Sequence, residues 1–140
     1  MKLNIFVTEP DKAYDQNISL SDLPNIDMVV NDAECTQITL ESLDYIPMVH
    51  LLPVLEKLVS KLRHGGTISV TGTDLLDMGR VITERGFSTE QLNEAIYGAD
   101  LPKRSSIPLT ELANLLKSFD LKIVKKRMQS SMNYVEATRA

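Results

Sequence analysis

The chain has 140 residues, 43% of them hydrophobic and 24% charged, with 19 acidic side chains against 15 basic ones. At this length a folded chain buries about two thirds of the surface its unfolded form exposes, so a packed core is expected and disorder is not. The net charge of -4 argues against a general binder of nucleic acid, the lone Cys35 excludes an internal disulfide, and no apolar run reaches the roughly 20 residues that cross a bilayer. The start MKLNIFVTEPDK turns acidic and Pro-containing too soon for a secretory signal, which makes the expected location cytoplasmic.

Lys2 to Thr8 is short, apolar and β-branched, and Pro10 and Asp11 close it. It predicts a buried strand, central in the sheet and parallel to the later strand Thr67 to Thr71. Pro10, Asn17, Pro24 and Asn25 leave room for only a brief extended piece at Asn17 to Leu20. Ile26 to Asn31, with Met28, Val29 and Val30 adjacent, predicts a strand buried on both faces and ended by Asp32. Thr36 to Leu40 alternates as a half-buried strand would.

From Met48 to Leu62 the period becomes helical, with Leu51, Leu52, Leu55, Leu58, Val59 and Leu62 in one stripe and Pro47 and Pro53 suiting its start. Arg63 and His64 are expected in its last turn, where cations meet the negative end of the helix dipole, and Gly65 with Gly66 as its left-handed stop. Thr67 to Thr71 then predicts a strand, and Thr73 or Asp74 caps a helix through Leu75, Leu76, Met78, Val81 and Ile82 that Gly86 ends. Ser88 and Gln91 form a capping box ahead of Leu92, Ala95 and Ile96, with Gly98 as the stop. Residues 99–108, with Pro102 and Pro108, predict a loop before a helix bearing Leu112, Leu115, Leu116 and Phe119. Leu121 to Met128 and Met132 to Thr138 flank the polar link Gln129-Ser130-Ser131 as an antiparallel hairpin. No repeat or composition shift divides the chain, so residues 1–140 are expected to form one domain.

The segment Leu55 to Asp74, LEKLVSKLRHGGTISVTGTD, resembles the helix, glycine turn and fifth strand of class I S-adenosylmethionine-dependent methyltransferases, with Arg63-His64 in place of the usual Lys-Pro. IDMVVNDAE at 26–34 is similar to the family's third strand with its acidic end, and ITLESLDYIP at 38–47 to the fourth strand and its turn. LTELANLLKSFDLKIVKKR at 109–127 is similar to the last helix and sixth strand, and MNYVEATRA to the reversed seventh strand. The resemblance implies an α/β, three-layer, Rossmann-like methyltransferase-type fold: a mostly parallel sheet with a C-terminal antiparallel hairpin and a truncated N-terminal half. LNIFVTEPDKAYD stands where the family's first strand meets its glycine-rich cofactor loop, and no glycine precedes Gly65, so the chain reads as a compact, divergent member.

The resemblance further implies S-adenosylmethionine as cofactor and an unidentified methyl acceptor. The strand-end rule would place the cofactor near Thr8, Glu9, Asp22, Asp32, Glu41 and Asp74. By resemblance Asp22 would hold the ribose hydroxyls and Asp32 the adenine amino group, with Thr8, Glu9 and Ala33 completing the set. The alternative is that these acids only end strands and cap turns. Glu41, Asp44 and Tyr45 would face substrate, a carboxylate there taking a proton from the methylated nucleophile, or would supply charge before the helix at Pro47. His50 and His64 have no partners at metal spacing, and Lys122, Lys125, Lys126 and Arg127 either protect a sheet edge or meet an anionic partner. Three functions stay open: methyl transfer, a non-catalytic interaction or ligand-binding module on the same scaffold, or a different Rossmann-type domain binding a nucleotide or sugar nucleotide, which the terminal hairpin disfavours. A homodimer or protein partner is compatible with each.

Overall fold

The computed structural model describes residues 1–41, 43–98 and 103–140. One sheet of six strands runs through them, β1 (Lys2–Phe6), β2 (Gln16–Ser19), β3 (Cys35–Leu40), β4 (Leu62–Thr73), β5 (Leu121–Gln129) and β6 (Met132–Arg139), in the spatial order β2-β1-β3-β4-β6-β5. The first four strands run parallel, and β6 joins β4 and β5 antiparallel. Four α-helices, α1 (Met48–Lys61), α2 (Leu75–Arg85), α3 (Thr89–Tyr97) and α4 (Leu109–Lys117), accompany a 3-10 helix at Leu20–Met28. None of the described helices is long and apolar enough to cross a membrane.

Side chains alternate across the sheet, and the register sorts them by polarity. Leu3, Ile38, Ile68 and Ala137 form one row over four strands and Ile5, Leu40, Val70 and Val135 the next, each no more than 1% exposed. These rows share one core with Leu51, Leu55 and Leu58 of α1, Leu112 and Leu116 of α4, and Leu23 and Ile26 of the 3-10 helix. Burying each Leu, Ile or Val side chain of this set stabilises the fold by about 1.5–3 kcal/mol, so this face holds the sheet to its helices. The opposite face carries the row Asn4, Thr39, Ser69 and Glu136. There Tyr14 Oη lies 2.8 Å from Thr39 Oγ1, and Tyr134 Oη donates to Ser69 Oγ at 3.3 Å.

The C-terminal half follows its local signals. Asp74 accepts from the Asp77 amide to cap α2, the Ser88 and Gln91 capping box opens α3, and Gly86 and Gly98 close the two helices at φ 76° and 87°. Ser130 and Ser131, at φ 51° and 59°, make the left-handed turn whose twist suits a two-residue hairpin. The predicted loop at 99–108 is seen over 103–108 as irregular chain; its residues 99–102, Pro102 among them, lie outside the described residues.

Three expectations are corrected. Residues 26–31 are not a strand: Ile26 ends up buried inside the 3-10 helix and Val30 four residues on, while Met28 is 86% exposed, which is helical spacing. β1 is internal, as expected, but its neighbours are β2 and β3, and β3 separates it from β4. Finally, α1 stops at Lys61, because Leu62 turns extended and pairs with Cys35. Arg63 and His64 therefore lie in β4, and the carbonyls of Val59 and Leu62 at the helix end receive Arg139 from the far end of the chain. Gly65 does have positive φ, 79°, but as a kink within β4 and not as a helix stop.

Candidate functional site

The chain leaves β1 to one side, forming β2, and returns on the other side of β1 to form β3. The reversal makes the carboxyl ends of β1 and β3 a topological switch point, where the outgoing connections diverge and leave a crevice. A cleft of about 680 Å³ lies there, floored by Asn4, Ile5 and Phe6, covered by residues 7–12 and Tyr14, and flanked by Glu41 and Tyr45.

The connection over this cleft is fixed by amides. Asn17 donates its Nδ2 to the Asp11 carbonyl at 2.9 Å, and its Oδ1 accepts the Asp11 N–H at 3.0 Å and Asn4 Nδ2 at 3.0 Å. Asp11 Oδ1 in turn accepts the Ala13 N–H at 2.9 Å. The two contacts to Asp11 set which way the Asn17 amide points, and that orientation makes Asn4 the donor. Asn4 Oδ1 therefore has no hydrogen-bond partner among the described residues, although Asn4 is only 7% exposed.

The neighbouring gap, between β3 and β4, is closed. Asp44, 6% exposed, accepts the Thr73 N–H at 2.7 Å and the Thr73 hydroxyl at 2.6 Å, and Lys103 Nζ lies 3.5 Å away. The Asp44 carbonyl accepts the amides of Arg104 and Ser105, and Ser106 Oγ donates to the Thr73 carbonyl at 2.7 Å, so residues 103–106 form a strap across the strand ends. Asp74 beside it accepts the Asp77 N–H at 3.1 Å and the Leu109 N–H at 3.0 Å, serving two helices with one carboxylate.

The residues singled out from sequence fall into separate places. Thr8, Glu9, Glu41 and Tyr45 gather around the switch-point cleft. Asp44 does not join them, since its carboxylate is taken up by Thr73 and Lys103. Asp22 accepts the Ser19 hydroxyl at 2.9 Å in the first turn of the 3-10 helix, away from the cleft lining. Asp32 and Ala33 lie at the opposite end of the sheet, before β3 begins. Asp32 sits there because residues 26–31 form no strand whose carboxyl end it could occupy. It receives Lys61 Nζ at 2.7 Å, and Ala33, at φ 55°, donates its N–H to Ser60.

Lys61, 2% exposed, also reaches Asp27. Burial alone would push its pKa down, but the hydrogen bonds to Asp27 and Asp32 hold it above the ordinary lysine value. Sequence reasoning missed Lys61, Tyr14, Asn17 and Asn4. Only Asn4 had a local signal, as the one polar residue in the run Leu3 to Val7.

Elsewhere, His50 lines an apolar groove of about 730 Å³ between the 3-10 helix and α1, which shares Tyr45 with the cleft. His64 Nδ1 meets the Ala140 carbonyl at 2.6 Å, and burial pushes the Cys35 thiol pKa up. Lys122, Lys125, Lys126 and Arg127 are exposed on edge strand β5, with Arg127 stacked 4.7 Å from the Tyr134 ring centre. Among the described residues no three His, Cys, Asp or Glu side chains are grouped to hold a metal.

The sequence matches no known family model and no curated protein. Its architecture is shared with solved structures. A protein from Pyrococcus horikoshii superposes with TM-score 0.64 over 99% of this chain and 71% of its own, at 10% identity. The 1,6-didemethyltoxoflavin-N1-methyltransferase of Burkholderia thailandensis, solved with S-adenosylhomocysteine, gives 0.59 over 99% and 60%, at 11% identity. An O-methyltransferase family 2 protein from Planctomyces limnophilus, in complex with apigenin, gives 0.56 at 15% identity. The protein has a Rossmann-like, methyltransferase-type fold. It spans only 35% of the Planctomyces limnophilus chain and 36% of an O-methyltransferase family protein from Burkholderia thailandensis, so the likeness is one of scaffold.

In a methyltransferase-type sheet S-adenosylmethionine needs bare backbone after the first strand and a helix N-terminus to receive its carboxylate. Here Thr8, Glu9 and Pro10 follow β1, and the connection to β2 contains no helix. The carboxylates of Glu9 and Glu41 border the same space. These residues offer such a cofactor neither a glycine turn nor a helix N-terminus.

Proposed function

We propose that the chain is a methyltransferase-fold ligand-binding module, one domain whose site is the switch-point cleft, and that it does not transfer methyl groups with S-adenosylmethionine. The observation that carries this reading is the composition of the cleft: the ligand position of the fold is open, while the glycine turn and helix N-terminus that grip the cofactor are replaced by Thr8, Glu9 and Pro10. Side chains in place of bare backbone keep the ligand about a side chain's width from the strand end, and Glu9 opposes a carboxylate there. The test is a calorimetric titration of the folded chain with S-adenosylmethionine and S-adenosylhomocysteine. No saturable heat is expected up to about 1 mM ligand, a ceiling of roughly 4 kcal/mol of binding free energy. Saturable micromolar binding of either compound would reject the proposal.

A second reading, methyl transfer to an unidentified acceptor with S-adenosylmethionine as cofactor, is favoured by Glu41 and Tyr45. Both border the cleft, and Glu41 is exposed and unburdened by any ion pair among the described residues. A carboxylate so placed can take the proton of a nucleophile being methylated. That reading expects cofactor binding together with methyl transfer that Glu41→Gln abolishes.

A further inference from the structure

We propose that the ligand of the switch-point cleft is a small protonated primary amine, an inference that rests on reading the cleft as the binding site. Three features of the cleft point the same way.

The first is the unpaired acceptor. Asn4 Oδ1 is buried at the cleft floor with its amide orientation dictated by Asn17 and Asp11. A buried acceptor without a donor is costly, and a ligand that brings an N–H removes that cost. The second is charge. Glu9, Asp11 and Glu41 border the cleft against a single cation, Lys12, so the potential favours a positive ligand and disfavours carboxylates and phosphates. Asp11 Oδ1 is engaged by Ala13, whereas neither carboxylate oxygen of Glu9 or Glu41 has a partner among the described residues. The third is aromatic. Phe6, Tyr14 and Tyr45 all line the same cleft, and ring faces attract ammonium groups while tolerating an alkyl tail. Acceptors, carboxylates and rings together describe a host for R–NH₃⁺. A quaternary ammonium would satisfy the charge and the rings but not Asn4, so the acceptor requires an ammonium with an N–H, which a primary amine offers at the least steric cost.

The probes are three compounds with a short alkyl chain and different head groups: butylamine, its N,N,N-trimethyl quaternary analogue, and butyrate. Each is titrated into the isotopically labelled chain, and backbone amide shifts are followed by NMR at low and moderate salt. The expected result is saturable butylammonium shifts clustered on residues 4–12 and Glu41, weaker binding of the quaternary analogue by about tenfold, one charge-assisted hydrogen bond's worth, and none of butyrate. Glu41→Gln should weaken butylammonium about tenfold or more. Asn4→Leu should erase the preference for primary over quaternary amine without altering the rest of the spectrum. Unsaturable shifts scattered over the acidic surface, or affinity unmoved by Glu41→Gln, would overturn the assignment. Cleft shifts from butyrate or S-adenosylmethionine but not from butylamine would reject the amine and keep the cleft as the site. Failure of all three probes to move the cleft amides would reject the amine.

Discussion

The two gaps at the carboxyl end of the sheet use similar residue types to opposite ends. Between β3 and β4, Asp44, Thr73 and Lys103 meet one another, and the strap at 103–106 covers them. Between β1 and β3, Asn4 keeps an acceptor without a partner among the described residues, and Glu9 and Glu41 border the cleft. A carboxylate at a strand end is thus no indication of a site by itself. What separates the gaps is whether the chain supplies the partners, because a buried polar group must be satisfied from inside or from a ligand.

The contrast is broken first at Asp44. Asp44→Ala leaves the Thr73 amide without its acceptor and Lys103 without its counter-charge, and should lower stability by about 3 kcal/mol or more, read as a shift of the urea midpoint at unchanged slope. A change under about 1 kcal/mol would mean that water already serves this gap. Asp74→Ala removes a cap from each of α2 and α4 and should cost about 2 kcal/mol, whereas Asp74→Asn, with one acceptor oxygen, should cost about half of that. Equal losses for the two variants would show that the caps depend on the charge of the carboxylate and not on the number of its acceptor oxygens.

On the open side the effects should be small. Asn4→Leu replaces a half-satisfied amide by an apolar side chain of similar size, and Asn17 keeps its bonds to Asp11, so stability should move by less than about 1 kcal/mol in either direction. Glu41→Gln should change it by no more than about 0.5 kcal/mol, as at an ordinary exposed position. Thermal unfolding of the two variants beside the wild type measures both. A large loss in either would make the open gap a structural element like its neighbour.

Much of the C-terminal half was legible because its signals act over a few residues. Ser88 and Gln91 find each other three positions apart, Gly86 and Gly98 relieve the chain where a left-handed residue is needed, and the Ser130-Ser131 link admits only a tight turn. The misreadings arise where a local signal is overridden or left undecided by pairing and packing. Ile26 to Val30 holds a compact apolar group that serves a buried strand or a helical turn equally well, and in the structure it forms the turn, with Ile26 and Val30 in the core shared with α1. Arg63-His64-Gly65-Gly66 reads as a helix end, yet pairing of Leu62 with Cys35 draws the chain into the sheet sooner. The candidate site was half legible. Thr8, Glu9, Glu41 and Tyr45 were named from strand ends, while Asp32 was carried to the wrong end of the sheet by the misassigned strand, and Asn4 gains its meaning only from Asn17 and Asp11.

By itself, the sequence determined the elements whose causes are local: the long amphipathic helix before Gly65, the capped helices after Asp74 and Ser88, the closing hairpin, and the loss of glycine after the first strand. Tertiary structure decided which strands are neighbours, which carboxylates are already spent, and where an acceptor is left open. The reason is the range of the forces involved. Caps and turns are settled by backbone sterics and hydrogen bonds within one turn of chain, whereas Asp44 finds Thr73 across 29 residues, and Asn4 finds Asn17 across 13, only after burial of the apolar face has fixed the register of the strands between them.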